Sequence, residues 1–284
     1  MKAEKDISIL LSEALNLLNV PVAPAATMLV YHRIEDDGAT LLPDSVSLSE
    51  FQCQMRYIVE AGYSPMTARE LAALVEAGEE PPEKSVVVTF DDGYLDTYTH
   101  AFAELEFFRM PATVFVAAGH IGSATPFPWL GRGGGKPMDW QHVGKLHKAG
   151  IEIASHTYSH PFTPNLTKNE LRLELERSKG TIEEKLGAPV HSLALPYSFP
   201  MRHPRWPTFR ARLREALDAN GYVCCCTMQR GHITPRDDVF ALRRMPVGRD
   251  DDMRLFQAKL EGCFAWTAPL QAFYQRFLKS YPTP

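Results

Sequence analysis

Short runs of uninterrupted apolar residues alternate along this chain with longer segments in which apolar positions recur every three or four residues. That alternation predicts an α/β protein whose parallel strands are buried on both faces and joined by amphipathic helices. Seven strands are expected, over residues 27–32, 86–90, 112–117, 151–155, 190–197, 222–227 and 241–247. Ser47, Thr67 and Thr167 are each followed three residues later by a glutamate, which predicts three capping boxes. Gly62, Gly78 and Gly187 mark where those helices stop. Asp139 reads as the N-cap of another helix, and further helices are expected over 94–108, 208–219 and 251–262. Near the N-terminus, Ile7, Leu10, Leu11, Ala14, Leu15 and Leu18 share one helical face before Pro21 and Pro24 break the chain. That face is expected to pack on the core or on a second subunit. Leu270, Phe273, Tyr274, Phe277, Leu278 and Tyr281 form a similar stripe near the C-terminus, expected to seal the core or meet another subunit.

The strand Val86-Val87-Val88-Thr89-Phe90 stops at Asp91 and Asp92, and Gly93 then permits a sharp turn. Strand ends in parallel α/β folds are where catalytic groups collect. Adjacent residues of an extended chain point to opposite sides, so one carboxylate could hold a metal while the other handles a proton. Downstream, the strand over 151–155 runs into His156-Thr157-Tyr158-Ser159-His160. Two histidines four apart can converge on one ion. Asp92 would complete a three-ligand set that leaves a position open, as catalytic zinc sites do. Either element alone reads as readily as a solvated turn; the two together point to a metal site.

Thr89-Phe90-Asp91-Asp92-Gly93-Tyr94 and Ser155-His156-Thr157-Tyr158-Ser159-His160 resemble the first two motifs of the NodB-type polysaccharide deacetylases, carbohydrate esterase family 4. The resemblance extends over residues 28–247 and implies a distorted (β/α)7 NodB-like barrel, with which the seven expected strands agree. It also implies a divalent metal, zinc being the first expectation, and hydrolysis of N-acetyl groups on amino sugars. By motif position it makes Asp91 the general base and Asp92, His156 and His160 the metal ligands. The chain would then divide into an N-terminal helix and linker (1–24), the deacetylase barrel (25–262) and a C-terminal helix packed on it (263–284).

The first strand ends in Tyr31-His32. A Tyr-His pair at this place supplies the catalytic acid in the branch resembling the poly-N-acetylglucosamine deacetylases, so the likeness implies His32 as the acid. Other branches take it from a C-terminal Leu-x-x-His, whereas Gly231-His232-Ile233 here sits in a polar segment. Leu195-Pro196-Tyr197-Ser198 resembles the third motif and implies an oxyanion hole at the Tyr197 backbone N–H. Leu195 stands where an arginine or aromatic residue is usual, and Ser198 replaces a glycine. Asp91 therefore lacks its customary arginine, and Arg244 is the candidate substitute from a neighbouring strand. The Gly- and Pro-rich segment 118–138, with Phe127, Trp129 and the Gly131-to-Gly135 run, reads equally as a lid or sugar-binding loop and as a disordered insertion. The aromatic segment 198–207, with Phe199, His203 and Trp206, reads as a wall of the substrate groove.

Charge and composition narrow the partners. A net charge of −4 carries no nucleic-acid footprint and favours a neutral glycan over an anionic polymer. Five cysteines, three of them adjacent at 224–226, do not form a disulfide framework. They read as small buried residues in a reducing compartment. Residues 1–20 show no secretory signal, and no run approaches the roughly 18 apolar residues of a membrane span. The expectation is a soluble cytoplasmic protein of open oligomeric state. No organic cofactor is expected, since the glycines at 131–135 lack the strand-then-helix context of a phosphate loop. A HAD-type phosphatase would need an aspartate where the chain has Gly93. The other alternative is a catalytically inactive carbohydrate-binding relative of the same fold.

Overall fold

The apolar runs pair in parallel throughout. The computed structural model describes residues 2–17, 25–130 and 135–282. The strands are β1 (Thr27–Tyr31), β2 (Arg33–Glu35), β3 (Ser45–Ser47), β4 (Ser64–Met66), β5 (Ser85–Phe90), β6 (Ala112–Val116), β7 (Glu152–Ser155), β8 (Ser192–Ala194), β9 (Cys224–Cys226) and β10 (Met245–Pro246). The helices are α1 (Lys2–Leu17), α2 (Leu48–Glu60), α3 (Ala68–Ala77), α4 (Phe102–Phe107), α5 (Trp140–Lys148), α6 (Lys168–Leu186), α7 (Phe209–Asn220), α8 (Met253–Leu260) and α9 (Thr267–Phe277). Strand order is β10-β1-β5-β6-β7-β8-β9, and Leu242 makes a parallel bridge to Cys226 just ahead of β10. The two ends of the curled sheet thereby meet, giving a (β/α) barrel.

Alternation along the strands divides the core in two. Met28, Val87, Phe115, Ala154, Ala194, Cys224 and Cys226 share one cluster with Leu71 and Val75 of α3. Their immediate neighbours, including Leu29, Val86, Val88, Val114 and Cys225, join the cluster that packs under the outer helices. Adjacent strand residues point to opposite faces, so the first cluster fills the barrel and the second glues helices to its outside. The capping boxes at Ser47, Thr67 and Thr167 all form, and a fourth joins Asp139 to His142. Cys224, Cys225, Cys226 and Cys263 are buried, but Cys53 is exposed on α2, and all five thiols are free.

Three short strands were not legible in the periodicity. β2 and β3 form a separate parallel pair beyond β1, and β4 pairs with the first half of β5. The helix expected over 94–108 forms over 95–107, with a π-helical turn at Thr97–Ala101 running into α4. There the carboxylate of Asp96 accepts the Ile34 N–H, and His100 Nδ1 donates to the Ile34 carbonyl at 2.6 Å. Both bonds tie the turn to β2.

On the two terminal helices the expected apolar faces do not pack on the core. On α1 the apolar residues Ile7, Leu10 and Leu11 face solvent, and the buried position is Ser8, whose hydroxyl accepts from the Trp266 indole. Polar bonds from Lys5 to Asp250 and Arg254 to Glu13 hold the helix beside α8. Leu15, Leu18 and the breaks at Pro21 and Pro24 lie outside the described side chains. On α9, Leu270, Phe273, Tyr274, Phe277 and Leu278 are exposed, and only Tyr281 of that stripe is buried. Gln271 and Gln275 face inward, donating to the Met228 carbonyl at 2.8 Å and the Ser198 hydroxyl at 2.6 Å. Bare loop backbone at the barrel mouth rewards glutamine amides over leucines.

Candidate metal centre and active site

The C-terminal ends of four strands supply the site. Asp91 and Asp92 follow β5, His32 follows β1, His156 and His160 follow β7, and Tyr197 follows β8. Tyr31 pairs with Phe90 and its carbonyl accepts the Asp91 N–H at 3.0 Å, which sets His32 beside Asp91 on the neighbouring strand. Asp92, Thr157, His160 and Tyr197 all adopt positive φ, between +56° and +72°. For non-glycine residues that conformation costs about 1–3 kcal/mol each and collects at functional sites. At Gly93 (φ +91°) an added Cβ would lie 2.8 Å from Ile121 Cδ1, so the turn after the two aspartates admits only glycine.

Ligand atoms of Asp92, His156 and His160 lie within 4.8 Å of one another, all three residues buried. Asp92 Oδ1 is 3.4 Å from His156 Nε2 and 3.2 Å from His160 Nε2. The Ala194 carbonyl, 2.9 Å away, can only accept, so His156 Nδ1 carries a proton, and in the neutral ring that a metal ligand needs, Nε2 presents its lone pair to Asp92. Oδ1 of Asp92 has no hydrogen-bond partner among the described residues. Bare acceptors facing each other repel unless a cation lies between them. Donors held about 2.0–2.2 Å from a tetrahedral ion are spaced by roughly 3.3 Å, close to the two separations found. The residues therefore fit a divalent metal, and the orienting bond on His156 is the usual companion of such a ligand. Burial pushes His160 down, toward the neutral form a ligand needs.

Beside this set Asp91 is buried in a two-point ion pair with Arg244. Arg244 lies ahead of β10 and is fully buried; its Nε donates to the Thr227 carbonyl at 3.1 Å and its guanidinium lies 5.5 Å from the Phe115 ring. It thus rises through the barrel interior to reach Asp91. Burial raises the Asp91 carboxyl, and the Arg244 guanidinium, by its charge and its two hydrogen bonds, more than offsets this and keeps it ionised.

Trp129 is also part of the site. Its ring stacks on His160 at 3.8 Å and 12°, and its Nε1 donates to Asp92 Oδ2 at 3.4 Å. Phe127, expected beside it as a sugar platform, is buried under Tyr94 instead, and the Gly131-to-Gly134 part of the run lies outside the described residues. Phe199 and Trp206 likewise turn into the core against Phe162, leaving the exposed Tyr197 ring as the aromatic at the mouth. The Tyr197 ring meets His160 edge-on at 4.8 Å. Tyr94 is buried near Asp92, and burial and that charge hold its phenol protonated. His232 is far from this chemistry, with Nδ1 2.9 Å from Thr27 Oγ1 at the opposite end of β1.

A parallel barrel carrying two imidazoles and a carboxylate at its C-terminal rim, with a second, arginine-paired carboxylate alongside, defines an α/β barrel with a candidate metal centre. Residues 78–222 match the sequence model of the polysaccharide deacetylases, and the chain belongs to that family. The poly-beta-1,6-N-acetyl-D-glucosamine N-deacetylase of Staphylococcus epidermidis is 27% identical over 241 residues, 80% of each chain. The Escherichia coli K12 protein of the same name is 32% identical over 136 residues, which cover 45% of this chain and 20% of its own length. The structure of IcaB from Ammonifex degensii superimposes with a TM-score of 0.68 at 23% identity, over 84% of this chain and 98% of that one, and shares the fold.

Proposed function

We propose that this protein hydrolyses the N-acetyl group of an amino sugar within a glycan, poly-N-acetylglucosamine being the first substrate class to test. The observation that carries this reading is the adjacency of the three converging ligands to the Asp91–Arg244 pair. Asp92, His156 and His160 would hold the metal. Two nitrogens and an oxygen suit zinc. The ion, when bound, polarises the acetamide carbonyl and makes a water more acidic.

The chain's own residues do the rest. Asp91, ionised and oriented by Arg244, accepts a proton from the attacking water. The Tyr197 N–H donates to the oxygen that gains charge as the carbonyl carbon becomes tetrahedral. His32, protonated, gives a proton to the nitrogen as the C–N bond breaks, leaving acetate and a free amino sugar. The barrel, 25–262, is the catalytic unit in this reading, with 1–24 and 263–284 as flanking helices. No described helix is long and apolar enough to cross a membrane.

The test is acetate and amine release from N-acetylglucosamine oligomers by zinc-loaded protein, before and after chelation. Release that chelation stops and zinc restores supports the proposal. A protein that binds oligomer and zinc yet releases no acetate from any N-acetylated amino-sugar polymer is a binding module, and the proposal falls.

A further inference from the structure

Between α7, the loop at 201–207 and the turn at 238–240 lies a cavity of about 670 Å³ that shares no residue with the metal centre. Its walls carry Arg202, Arg210, Arg214 and Arg276, with Asp238 as the one carboxylate. In a chain of net charge −4 this is a strong local reversal. Two of the four guanidiniums are anchored. Arg210 pairs with Asp238, and Arg214 lies 4.2 Å over the Phe240 ring with its Nη1 3.9 Å from the same carboxylate. Arg214 Nε also lies 3.4 Å from Asp218, so two carboxylates balance Arg210 and Arg214, whereas neither Arg202 nor Arg276 pairs with a carboxylate among the described residues.

The walls are tied together. His203 Nδ1 accepts the Arg205 N–H, so Nε2 carries the proton and donates to the Arg276 carbonyl at 3.3 Å. That bond joins the loop to α9. The His203 ring stacks on buried Trp206 at 4.4 Å. The backbone that carries Arg202 and Arg276 is therefore held in place, which reduces the entropy lost on capturing an anion.

The structure assigns this cavity as a second ligand site, one that binds a phosphate group carried on a larger molecule. Several guanidiniums converging from different elements suit an oxyanion that can take more than one two-point bond. The volume exceeds what a lone ion needs, so the phosphate would be an ester. Its source is either a soluble phosphate ester or a lipid headgroup.

The test uses inorganic pyrophosphate in calorimetry at physiological ionic strength, and sedimentation with phosphatidylglycerol against phosphatidylcholine vesicles. The zinc-loaded protein is compared with R202E/R276E, both positions being exposed and outside the catalytic set. The expected result is pyrophosphate binding weakened at least tenfold by the double substitution, with acetate release from a neutral oligomer unchanged. Pyrophosphate binding without vesicle binding assigns a soluble ester. Sedimentation with phosphatidylglycerol alone, lost in R202E/R276E, assigns a headgroup. Binding of neither probe overturns the proposal, as does binding that R202E/R276E leaves unchanged, because the anion is then held elsewhere, for instance at the metal centre.

Discussion

Arg244 and Asp91 are joined by two parallel bonds, Nη1 to Oδ1 at 2.6 Å and Nη2 to Oδ2 at 2.8 Å, across a sequence separation of 153 residues. The pair is buried, so each charge depends on the other. Removing one partner of a buried pair costs about 3–5 kcal/mol. Arg244→Met should therefore lower Tm by roughly 6–20 °C at about 2–4 °C per kcal/mol. Arg244→Lys keeps the charge but loses the planar two-point grip. It should recover most of the stability in thermal denaturation while kcat for acetate release stays at least tenfold down. A lysine variant with full kcat would show that the arginine only balances charge.

Trp129 stacks on His160, one of the three proposed ligands. His160 Nδ1 has no hydrogen-bond partner among the described residues, so the indole face takes over the orienting role that a carbonyl plays for His156. Loss of a ligand's orienting partner typically weakens metal affinity about 10–100-fold. Trp129→Ala should show a loss of that size in a competition assay with a chelating dye. Trp129→Phe, which keeps a ring but no N–H for Asp92, should fall between. Equal affinity in all three proteins would mean the indole serves substrate alone.

His232 makes the fold acid-sensitive. Burial, with help from Arg243, pushes its pKa down to about 4. The unfolded value is about 6.5, so the folded state binds this proton more weakly than the unfolded chain does. The stabilising contribution is present above pH 6.5, shrinks as pH falls, and is lost once pH passes through 4. The total is on the order of 3 kcal/mol at 1.36 kcal/mol per unit. His232→Asn should lose less stability than the parent between pH 7 and 5 in urea titrations. Identical losses would place the acid sensitivity elsewhere.

The barrel was legible because buried parallel strands leave contiguous apolar runs, and the convergence of Asp92, His156 and His160 because they sit in two short segments at strand ends. β2, β3 and β4 were not legible, since three-residue strands are too short to show a period. Arg244 could be named, but nothing in the apolar pattern says that a residue ahead of a two-residue strand fills the barrel. The periodicity of α1 and α9 shows the helices, but of the two expected contacts for their apolar faces, core or second subunit, the core is not the one made. A stripe shows that a helix is two-sided, while the hydrogen-bonding needs of the surface beneath decide which side turns in. At α9 those needs are loop carbonyls, which Gln271 meets and Leu270 does not.

The catalytic assignment rests on the two adjacent aspartates doing different work. It is tested most directly by measuring bound zinc and acetate release on the same samples of the parent protein and Asp91→Asn. The predicted result is about one zinc per chain in both, with release from N-acetylglucosamine oligomers reduced at least a hundredfold in the variant, the usual scale for a general base. An Asp91→Asn protein that has lost its zinc would mean the roles of Asp91 and Asp92 are exchanged. One that keeps both zinc and activity would contradict the assignment of Asp91 as the base.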